Sequence, residues 1–410
     1  MQTILIIGFV WPEPNSSAAG GRMIQLIESF QSEGAKITFA STASDSDFML
    51  DVRELGIEKV SIELNNSSFD QFVKQLNPSI VLFDRFMVEE QFGWRVAKEC
   101  PKALRILDTE DLHCLRSARQ LAWKENRKFT DSDLNCEIAK REIASIYRCD
   151  LSLIISQFEM RLLTDYFGIP SNLFLLLPFL LDPIDEVTKA NWKSFEERQH
   201  FIFIGNFLHE PNWNAVRYLK EEIWPLIRKE LPKVELHVYG AYPSQKVLEL
   251  NNVSQGFICK GRAKNAKEVV SNARISLVPL RFGAGIKGKL VESMQCGTPS
   301  VTSDIGSESM HGNLNWSGII ANTPQEIADA AIELYLNKVS WLKSQENGIE
   351  IIKQIYPKER LRKELLDCVR LLLNTLENHR SQNFTGSMLM HHTLASTKYM
   401  SKWIEEKNKV

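Results

Sequence analysis

The sequence predicts an α/β protein built from two doubly wound domains in tandem. A chain of 410 residues is longer than a single ordinary hydrophobic core supports. Short apolar runs alternate with stretches of helical spacing, and the alternation lapses once, between residues 178 and 200, before it starts again. Because strands separated by helices form βαβ units, each half is expected to contain a parallel sheet with helices on both faces.

The first half begins with the buried-strand pattern "TILIIGF", followed by a helix in which Met23, Leu26 and Phe30 share one face. Gly34 comes after the last turn and is expected to cap the helix. Further strands are predicted at "KITFAS", "EKVSIEL", "SIVLFD", "ALRILD" and "LSLIIS". Residues 113–148 carry charges of both signs and are interpreted as one long helix or a helical pair.

The stretch "PFLLDPIDEVTKANWKSFEERQH" contains two prolines and no clean periodicity, and it is interpreted as a linker. We therefore expect a first domain at residues 1–180, a linker at 181–200 and a second domain at 201–384. The second domain repeats the alternation, with strands at "FIFIGN", "VELHVYG", "QGFICKG", "RISLVPL", "PSVTSD" and "GIIAN".

Composition excludes several classes of function. The hydrophobic content of 44%, the charged content of 24% and the net charge of −2 are those of a soluble globular protein with no electrostatic case for nucleic acid. Seven irregularly spaced cysteines fit reduced thiols, and neither a CxxC pair nor a tight Cys/His cluster predicts a metal site. "ILIIGFV" is too short to span a membrane. We expect a cytoplasmic protein that binds neither metal nor nucleic acid.

Two glycine-containing segments follow strand ends, where the crevice of an open parallel sheet lies. "AAGGR" places Gly20 and Gly21 at the start of the first helix, where free N–H groups favour a phosphate. It does not match GxGxxG, so an ordinary turn remains the alternative.

The second segment, "GAGIKGK", is more specific because it places Lys287 and Lys289 at a helix start, where lysine opposes the macrodipole. Two lysines there predict an anion, and a nucleoside diphosphate is the simplest candidate. Glu292, one to two turns further on, is placed to grip a ribose diol. The alternative is a solvated Lys-Gly loop with a surface glutamate.

The sequence resembles a known family over most of its length. The region from "FIFIGNFLHEPNWNAVRYLKEEIWPLI" through "HVYGAYP" to "GAGIKGKLVESMQCGTPSVTSDIGSE" is similar to the donor domain of GT-B glycosyltransferases of family 4. "PEPNSSAAGGRMIQLIESFQSEGAKITFAS" and "FGIPSNLFLLLP" in the first half match the family more loosely. The resemblance implies two Rossmann-like domains facing a cleft, with a C-terminal helix at about 385–410 that returns to the first domain. It also implies sugar transfer from a nucleoside-diphosphate sugar, usually with retention at the anomeric carbon, without metal or other cofactor.

Family positions carry over residue by residue. Glu292 matches the second acid of the E-x7-E motif, which contacts the donor ribose, whereas Ala284 stands where the first acid is expected. The glycine pair near residue 20 matches a loop that closes over the diphosphate. The usual arginine and lysine after the first donor-domain strand are absent. The resemblance implies that the donor contacts are Gly20, Gly21, Asn206, His209, Asn212, Tyr242, Arg262, Gly283, Gly285, Lys287, Lys289 and Glu292.

"LDTEDLHCLR" is the first-half segment expected to face the transferred sugar. Its polar side chains follow a buried strand, and a carboxylate or imidazole can orient an acceptor hydroxyl and take its proton. Asp111 and His113 are the predicted catalytic residues. The alternative is that Asp111 caps the following helix while His113 lies on the surface.

The predicted function is therefore transfer of a sugar from a nucleotide-sugar donor to a carbohydrate, lipid-linked or small-molecule acceptor. A catalytically silent GT-B protein, suggested by Ala284, and a sugar-nucleotide epimerase are the alternatives. Residues 116–128 form a basic helix with one tryptophan. This helix is read either as a solvated face, the commoner case, or as a contact with anionic lipid that would place the protein at the inner face of the membrane.

Overall fold

A computed structural model describes the backbone of residues 2–409 and the side chains of residues 2–391 and 396–409. The first domain contains a seven-stranded, entirely parallel sheet with strand order β3-β2-β1-β4-β5-β6-β7. Its strands are β1 (Thr3–Gly8), β2 (Lys36–Ser41), β3 (Glu58–Ser61), β4 (Ile80–Asp84), β5 (Leu104–Asp108), β6 (Leu151–Ile154) and β7 (Phe174–Leu176).

Helices cover both faces of this sheet. They are α1 (Ala18–Gln31), α2 (Ser68–Leu76), α3 (Phe86–Glu99), α4 (His113–Lys124), α5 (Glu137–Arg148) and α6 (Gln157–Arg161), with short 3₁₀ turns at Val52–Leu55, Asp131–Leu134 and Ser171–Leu173 and a π turn at Leu162–Tyr166. Alternate β1 residues enter opposite layers: Ile4 and Ile6 pack on one side, and Leu5 and Ile7 on the other. The segment 113–148 is the helical pair α4 and α5.

The second domain repeats the architecture around a six-stranded parallel sheet of order β10-β9-β8-β11-β12-β13. The strands are β8 (Gln199–Ile204), β9 (Leu236–Tyr239), β10 (Phe257–Gly261), β11 (Ala273–Val278), β12 (Ser300–Thr302) and β13 (Gly318–Ile320). The helices are α7 (Glu186–Ala190) in the linker, α8 (Glu210–Tyr218), α9 (Trp224–Glu230), α10 (Gln245–Leu248), α11 (Ala266–Asn272), α12 (Gly288–Gln295), α13 (Asp304–Ser307), α14 (Pro324–Leu336) and α15 (Lys338–Ile355), with a π turn at Leu219–Ile223.

The chain returns to the first domain earlier than the sequence predicted. Two helices follow the second domain, α16 (Lys358–Ser381) and α17 (Phe384–Lys407). Leu361, Leu365 and Val369 of α16 pack into the first-domain layer that also buries Ile4, and α17 lies against α3 and α5. The predicted second-domain end at 384 is therefore wrong, because the return begins near residue 357. The helix expected at about 385–410 does lie against the first domain, as α17.

The outgoing and returning crossings lie side by side. The backbone N–H of Leu181 donates to the carbonyl oxygen of Tyr356 at 2.9 Å, and the N–H of Lys358 donates back to Leu181 at 2.9 Å. The chain therefore passes from the first domain to the second and back again at the same place. The prediction of two doubly wound α/β domains is confirmed. No helix in the described part of the chain is long and apolar enough to cross a bilayer.

Candidate functional site

The loop between β11 and α12 carries two lysines at the start of a helix, as predicted. Lys287 is the N-cap residue of α12 and is 7% exposed, so the alternative of a solvated loop is wrong for this side chain. Its ammonium donates to the carbonyl oxygen of Gly285 at 2.8 Å. Burial lowers the pKa of Lys287 to about 8, although the charge of Glu308 opposes the shift.

Lys289 is the less compensated of the two cations. Its ammonium donates to the amide oxygen of Asn212 and lies 4.8 Å from the centre of the Phe203 ring. Burial alone lowers the pKa of Lys289 to about 7, because no carboxylate of the described residues offsets the desolvation. Asn212 is anchored in turn, since its amide nitrogen donates to the carbonyl oxygen of Asn206 at 2.7 Å. The predicted contacts Asn206 and Asn212 thus position Lys289.

The same loop is docked onto the first domain through Gly285. Gly285 has a φ of +62°, and a Cβ at this position would lie 2.8 Å from the Cβ of Asp111. Its N–H donates to the carboxylate of Glu159 at 2.9 Å, and the same oxygen accepts the N–H of Leu112 at 2.9 Å. Burial, reinforced by the charge of Asp111, raises the pKa of Glu159 to about 7. One buried carboxylate therefore joins the two sides of the crevice.

The N-terminus of α1 meets that of α12. The Ser17 hydroxyl caps α1 by accepting the N–H of Gly20 at 3.0 Å. A Cβ on Gly20 would lie 2.4 Å from the Glu13 backbone, whereas Gly21 has open space around it. A Cβ on Gly288 would lie 2.4 Å from that of Ala18, so the two helix starts are in van der Waals contact. Free N–H groups of two helices therefore converge on the side where the lysines lie.

The predicted catalytic residues lie together on the first-domain side of the crevice. The His113 imidazole Nε2 is 3.5 Å from the Asp111 carboxylate, which also forms an ion pair with Arg116. Burial lowers the pKa of His113 to about 4, against the opposing charge of Asp111. Despite burial, which favours protonation, Arg116 and His113 hold the pKa of Asp111 below its usual range. His113 is therefore neutral and Asp111 ionised at neutral pH.

His209 of the second domain faces this group across the crevice. Desolvation and the charge of Arg116 lower the pKa of His209, while Asp111 raises it. His209 is exposed before the start of α8, and its charge interacts with those of Asp111, His113 and Lys289. Its assignment as a donor contact stays a prediction.

The alternative that Asp111 caps α4 is wrong. The helix N-cap is Leu112, whose own N–H donates to Glu159 of α6. The N–H groups of His113 and Cys114 each donate to Glu142 at 2.9 Å. Burial raises the pKa of Glu142 to about 7. The Asp111 carboxylate does not cap the helix and instead contacts His113 and Arg116 in the crevice.

The basic helix at 116–128 is a domain contact. Arg119 is 7% exposed, donates to the carboxylate oxygens of Glu308 at 2.7 and 2.9 Å, and donates to the carbonyl oxygen of Gly283 at 2.9 Å. Trp123 packs on Phe282 with 5.4 Å between ring centres. The solvated-face interpretation is therefore wrong for Arg119 and Trp123, whereas Lys124, Arg127 and Lys128 are exposed as it expects, and the lipid contact stays a prediction.

At another edge of the crevice, the predicted donor contacts Tyr242 and Arg262 also reach the first domain. The hydroxyl of Tyr242 donates to the Glu13 carboxylate at 2.9 Å. The guanidinium carbon of Arg262 lies 4.0 Å from the centre of the Phe48 ring, and Tyr242 contacts the same ring edge-on at 5.1 Å. Arg262 and Tyr242 therefore both pack on Phe48 of the first domain, and their role as donor contacts stays a prediction.

Glu292 lies one turn into α12 and is half-buried. Desolvation raises its pKa, partly offset by Lys267, and no described residue donates a hydrogen bond to its side chain. Gly283 makes no close contact that a methyl group would violate. Both positions are compatible with a contact to the donor, and the assignments of Glu292 and Gly283 as donor contacts stay predictions.

Sequence reasoning missed the residues that hold the crevice closed. Glu159, Arg119 and Glu308 are far apart in the chain, and only the fold brings them together. Asp108 was expected at the crevice mouth but is fully buried and bound by Arg22 through bonds of 2.9 to 3.1 Å. The one available signal was charge: arginine and glutamate at otherwise core-like helical positions are buried only when they are paired.

Comparisons with known proteins agree with this architecture. Residues 198–337 match the family model of glycosyl transferases group 1. An uncharacterized 44.6 kDa protein in the cps region of Klebsiella pneumoniae is 24% identical over 232 residues, which cover 54% of this chain and 56% of that protein. The alignment thus spans about half of the curated relative.

Two solved structures extend the likeness to the whole fold. A variant of TarM from S. aureus, in complex with fondaparinux, α-GlcNAc-glycerol and UDP, superposes with a TM-score of 0.66 at 10% identity, covering 90% of this chain and 100% of that chain. Anabaena HepE in complex with UDP and glucose gives a TM-score of 0.67 at 12% identity, covering 90% and 100%. At these identities the likeness shows the fold.

Proposed function

We propose that the protein transfers a sugar from a nucleoside-diphosphate sugar to an acceptor. The match of the second domain to the glycosyl transferases group 1 family and the GT-B fold of the chain support this proposal. The observation that carries the proposal is Lys289, a desolvated ammonium without a carboxylate partner at the start of α12. A buried cation of this kind is stabilised when an anion binds beside it. The diphosphate of the donor supplies that anion.

Catalysis then depends on the leaving diphosphate. Negative charge grows on it as the bond to the sugar breaks, and the two lysines with the N–H groups of α1 and α12 are fixed around that position. Charges that are already oriented lower the barrier without reorganising at the moment of reaction. The family resemblance adds retention at the anomeric carbon and a reaction without metal, and both belong to the proposal.

His113 is the better candidate for taking the proton from the acceptor hydroxyl. Its imidazole is neutral at pH 7, whereas the Asp111 carboxylate is already engaged by Arg116. Asp111 in turn orients the ring at 3.5 Å and stabilises the imidazolium that forms. The acceptor is a carbohydrate, a lipid-linked sugar or a small molecule with a free hydroxyl.

The proposal is tested by calorimetry with UDP and GDP, followed by hydrolysis and transfer assays with the corresponding sugars. Lys289→Ala is expected to weaken diphosphate binding by about 10- to 100-fold, the value of a charge-assisted hydrogen bond. Lys229→Ala, at an exposed position of α9, is the matched control and should leave binding unchanged. Equal affinity of the Lys289→Ala and wild-type proteins would show that the diphosphate binds elsewhere.

A catalytically silent nucleotide-sugar binder is a second candidate, because Ala284 is packed against the hydrophobic layer of the first domain. A glutamate at position 284 would be placed in apolar surroundings, so the packing at this position favours alanine over the acid that the family motif expects. Donor binding without hydrolysis or transfer over a broad acceptor panel would favour the silent binder. Turnover with any acceptor would exclude it.

A further inference from the structure

A second group of ligand-type side chains lies at the opposite end of the second sheet from the crevice. His200 is at the amino end of β8, and Glu235 and His237 are at the amino end of the neighbouring β9. Glu235 and His237 are two residues apart, so they point to the same side of the sheet. Within the described residues, this is the His, Cys, Asp and Glu group whose ligand atoms converge within 4.8 Å.

Backbone strain brings His200 into this group. Its φ is +65°, and the pairing of β8 with β11 passes from Gln199 to Phe201 without it. A non-glycine residue in the left-handed region is costly, and such residues persist where the surrounding structure holds them, often at functional sites. Here the ring of His200 lies 4.9 Å from that of His237.

We propose that His200, Glu235 and His237 bind a divalent transition-metal ion such as Zn²⁺. Two imidazoles and one carboxylate are ligands that Zn²⁺ accepts at about 2.0–2.2 Å, with water in the fourth position. The His237 Nε2 is already 2.7 Å from the Glu235 carboxylate, and Glu235 donates its N–H to the Nδ1 of His200 at 3.2 Å. All the ligand atoms already lie within 4.8 Å of one another, so small side-chain movements bring them around an ion, and the weak bond to His200 is exchanged for the metal.

This site is separate from the crevice and from the chemistry proposed there. The ion would cross-link the neighbouring strands β8 and β9 of the second sheet directly after the linker, which ends at β8. The sequence-based expectation of no metal relied on linear spacing, which could not show that residue 200 lies beside residues 235 and 237. The expectation of metal-free sugar transfer is independent of this site.

Nearby cations predict how the affinity can be changed. The charge of Lys260, on β10, acts on both His200 and Glu235, and Arg274 also acts on His200. Positive charge beside the ligands weakens the binding of a cation. Lys260→Gln is therefore expected to tighten metal binding without touching a ligand, in the opposite direction to any ligand substitution.

The test uses the full chain without an affinity tag, titrated with Zn²⁺ by calorimetry and with Co²⁺ by absorbance. We expect one ion per chain, a higher melting temperature with metal, and a Co²⁺ spectrum without thiolate charge transfer. His237→Gln and His200→Asn should each weaken binding at least tenfold. Asparagine tolerates the left-handed backbone at 200. His311→Gln, in the same domain, is the control.

Because imidazoles must be deprotonated to bind, affinity should fall as the pH drops below about 6. Three results would overturn the proposal: no binding at neutral pH, unchanged affinity in both histidine variants, or a thiolate band in the Co²⁺ spectrum that places the metal on cysteine. The Lys260→Gln variant distinguishes an effect on the metal site from a folding defect, because partial unfolding would weaken metal binding and could not strengthen it.

Discussion

The carboxylate of Glu159 in the first domain accepts the backbone N–H of Gly285 in the second domain at 2.9 Å. The same oxygen holds Leu112, which places Asp111 directly against the Gly285 backbone. The loop expected to bind the diphosphate and the segment expected to bind the acceptor are therefore fixed to one another by a single buried group. Donor loop and catalytic segment are thus held together by a contact between the two domains.

Gly285→Ala is expected to disrupt this unit, and Gly283→Ala is its matched control. Alanine at 285 would adopt a left-handed backbone at a cost of about 1–2 kcal/mol and would place its methyl group 2.8 Å from the Asp111 Cβ. At 283 the nearest atoms are 3.8 Å away, in ordinary contact. We expect the 285 variant to lose transfer activity and the 283 variant to lose less, as measured by kcat/KM. Equal loss in both would show that Gly283, a predicted donor contact, matters as much as the docking of Gly285.

Breaking the ion pair between Arg119 and Glu308 should open the crevice. Removing one partner of a buried pair leaves the other charge unpaired, at a cost of about 3 kcal/mol or more. Arg119→Ala is therefore expected to increase the radius of gyration in small-angle scattering and to raise KM for the donor. The double variant with Glu308→Ala should recover part of the closure. An unchanged scattering profile in Arg119→Ala would mean that the pair does not hold the domains.

The parallel sheets and the donor loop could be predicted from the sequence because both are local signals. Buried strands are continuous apolar runs, and the loop with Lys287 combines glycines and cations within seven residues. The sequence could not predict which of the two domains α16 packs on. Its apolar face, which includes Leu361 and Leu365, would have the same pattern on either domain. Only the pairing of Leu181 with the returning chain decides it.

The contacts that organise the site are non-local and carry no pattern. Arg119 and Glu308 are 189 residues apart, and Glu159 and Gly285 are 126 apart. The same helix face that carries Arg119 suggested a membrane surface, since a cationic stripe looks alike whether it meets lipid, water or a carboxylate. The placement of Lys287 at a helix start was thus predictable, whereas the carboxylates of Glu159 and Glu308, whose charges act on it, were not.

His113→Gln is expected to lower turnover by about 10²–10⁴-fold while donor affinity stays the same. A base with a pKa of about 4 is neutral above that value, so kcat/KM should be flat from pH 5 to 7 and fall only as the pH drops through 4. The Arg116 charge contributes to lowering this pKa. Arg116→Gln should therefore move the acid limb to higher pH. An acid limb that stays in place in this variant would assign it to another group.

Diphosphate binding should weaken as the pH rises above 7, because the Lys289 ammonium has a pKa of about 7 and only its charged form attracts the anion. At pH 8 most of the free protein has a neutral Lys289, so binding must take up a proton, and affinity should fall by up to tenfold per pH unit. Calorimetry in buffers of different ionisation enthalpy measures that uptake directly.

Lys289→Arg separates charge from desolvation in the same experiment. A guanidinium stays protonated throughout this range, so the variant should bind the diphosphate with no loss between pH 7 and 8 and without proton uptake there. A decline that begins only above pH 8 would then report Lys287, whose pKa is about 8. If the diphosphate affinity of the arginine variant falls above pH 7 in the same way as that of the wild type, the titrating group is not Lys289, and the diphosphate does not lie against its ammonium.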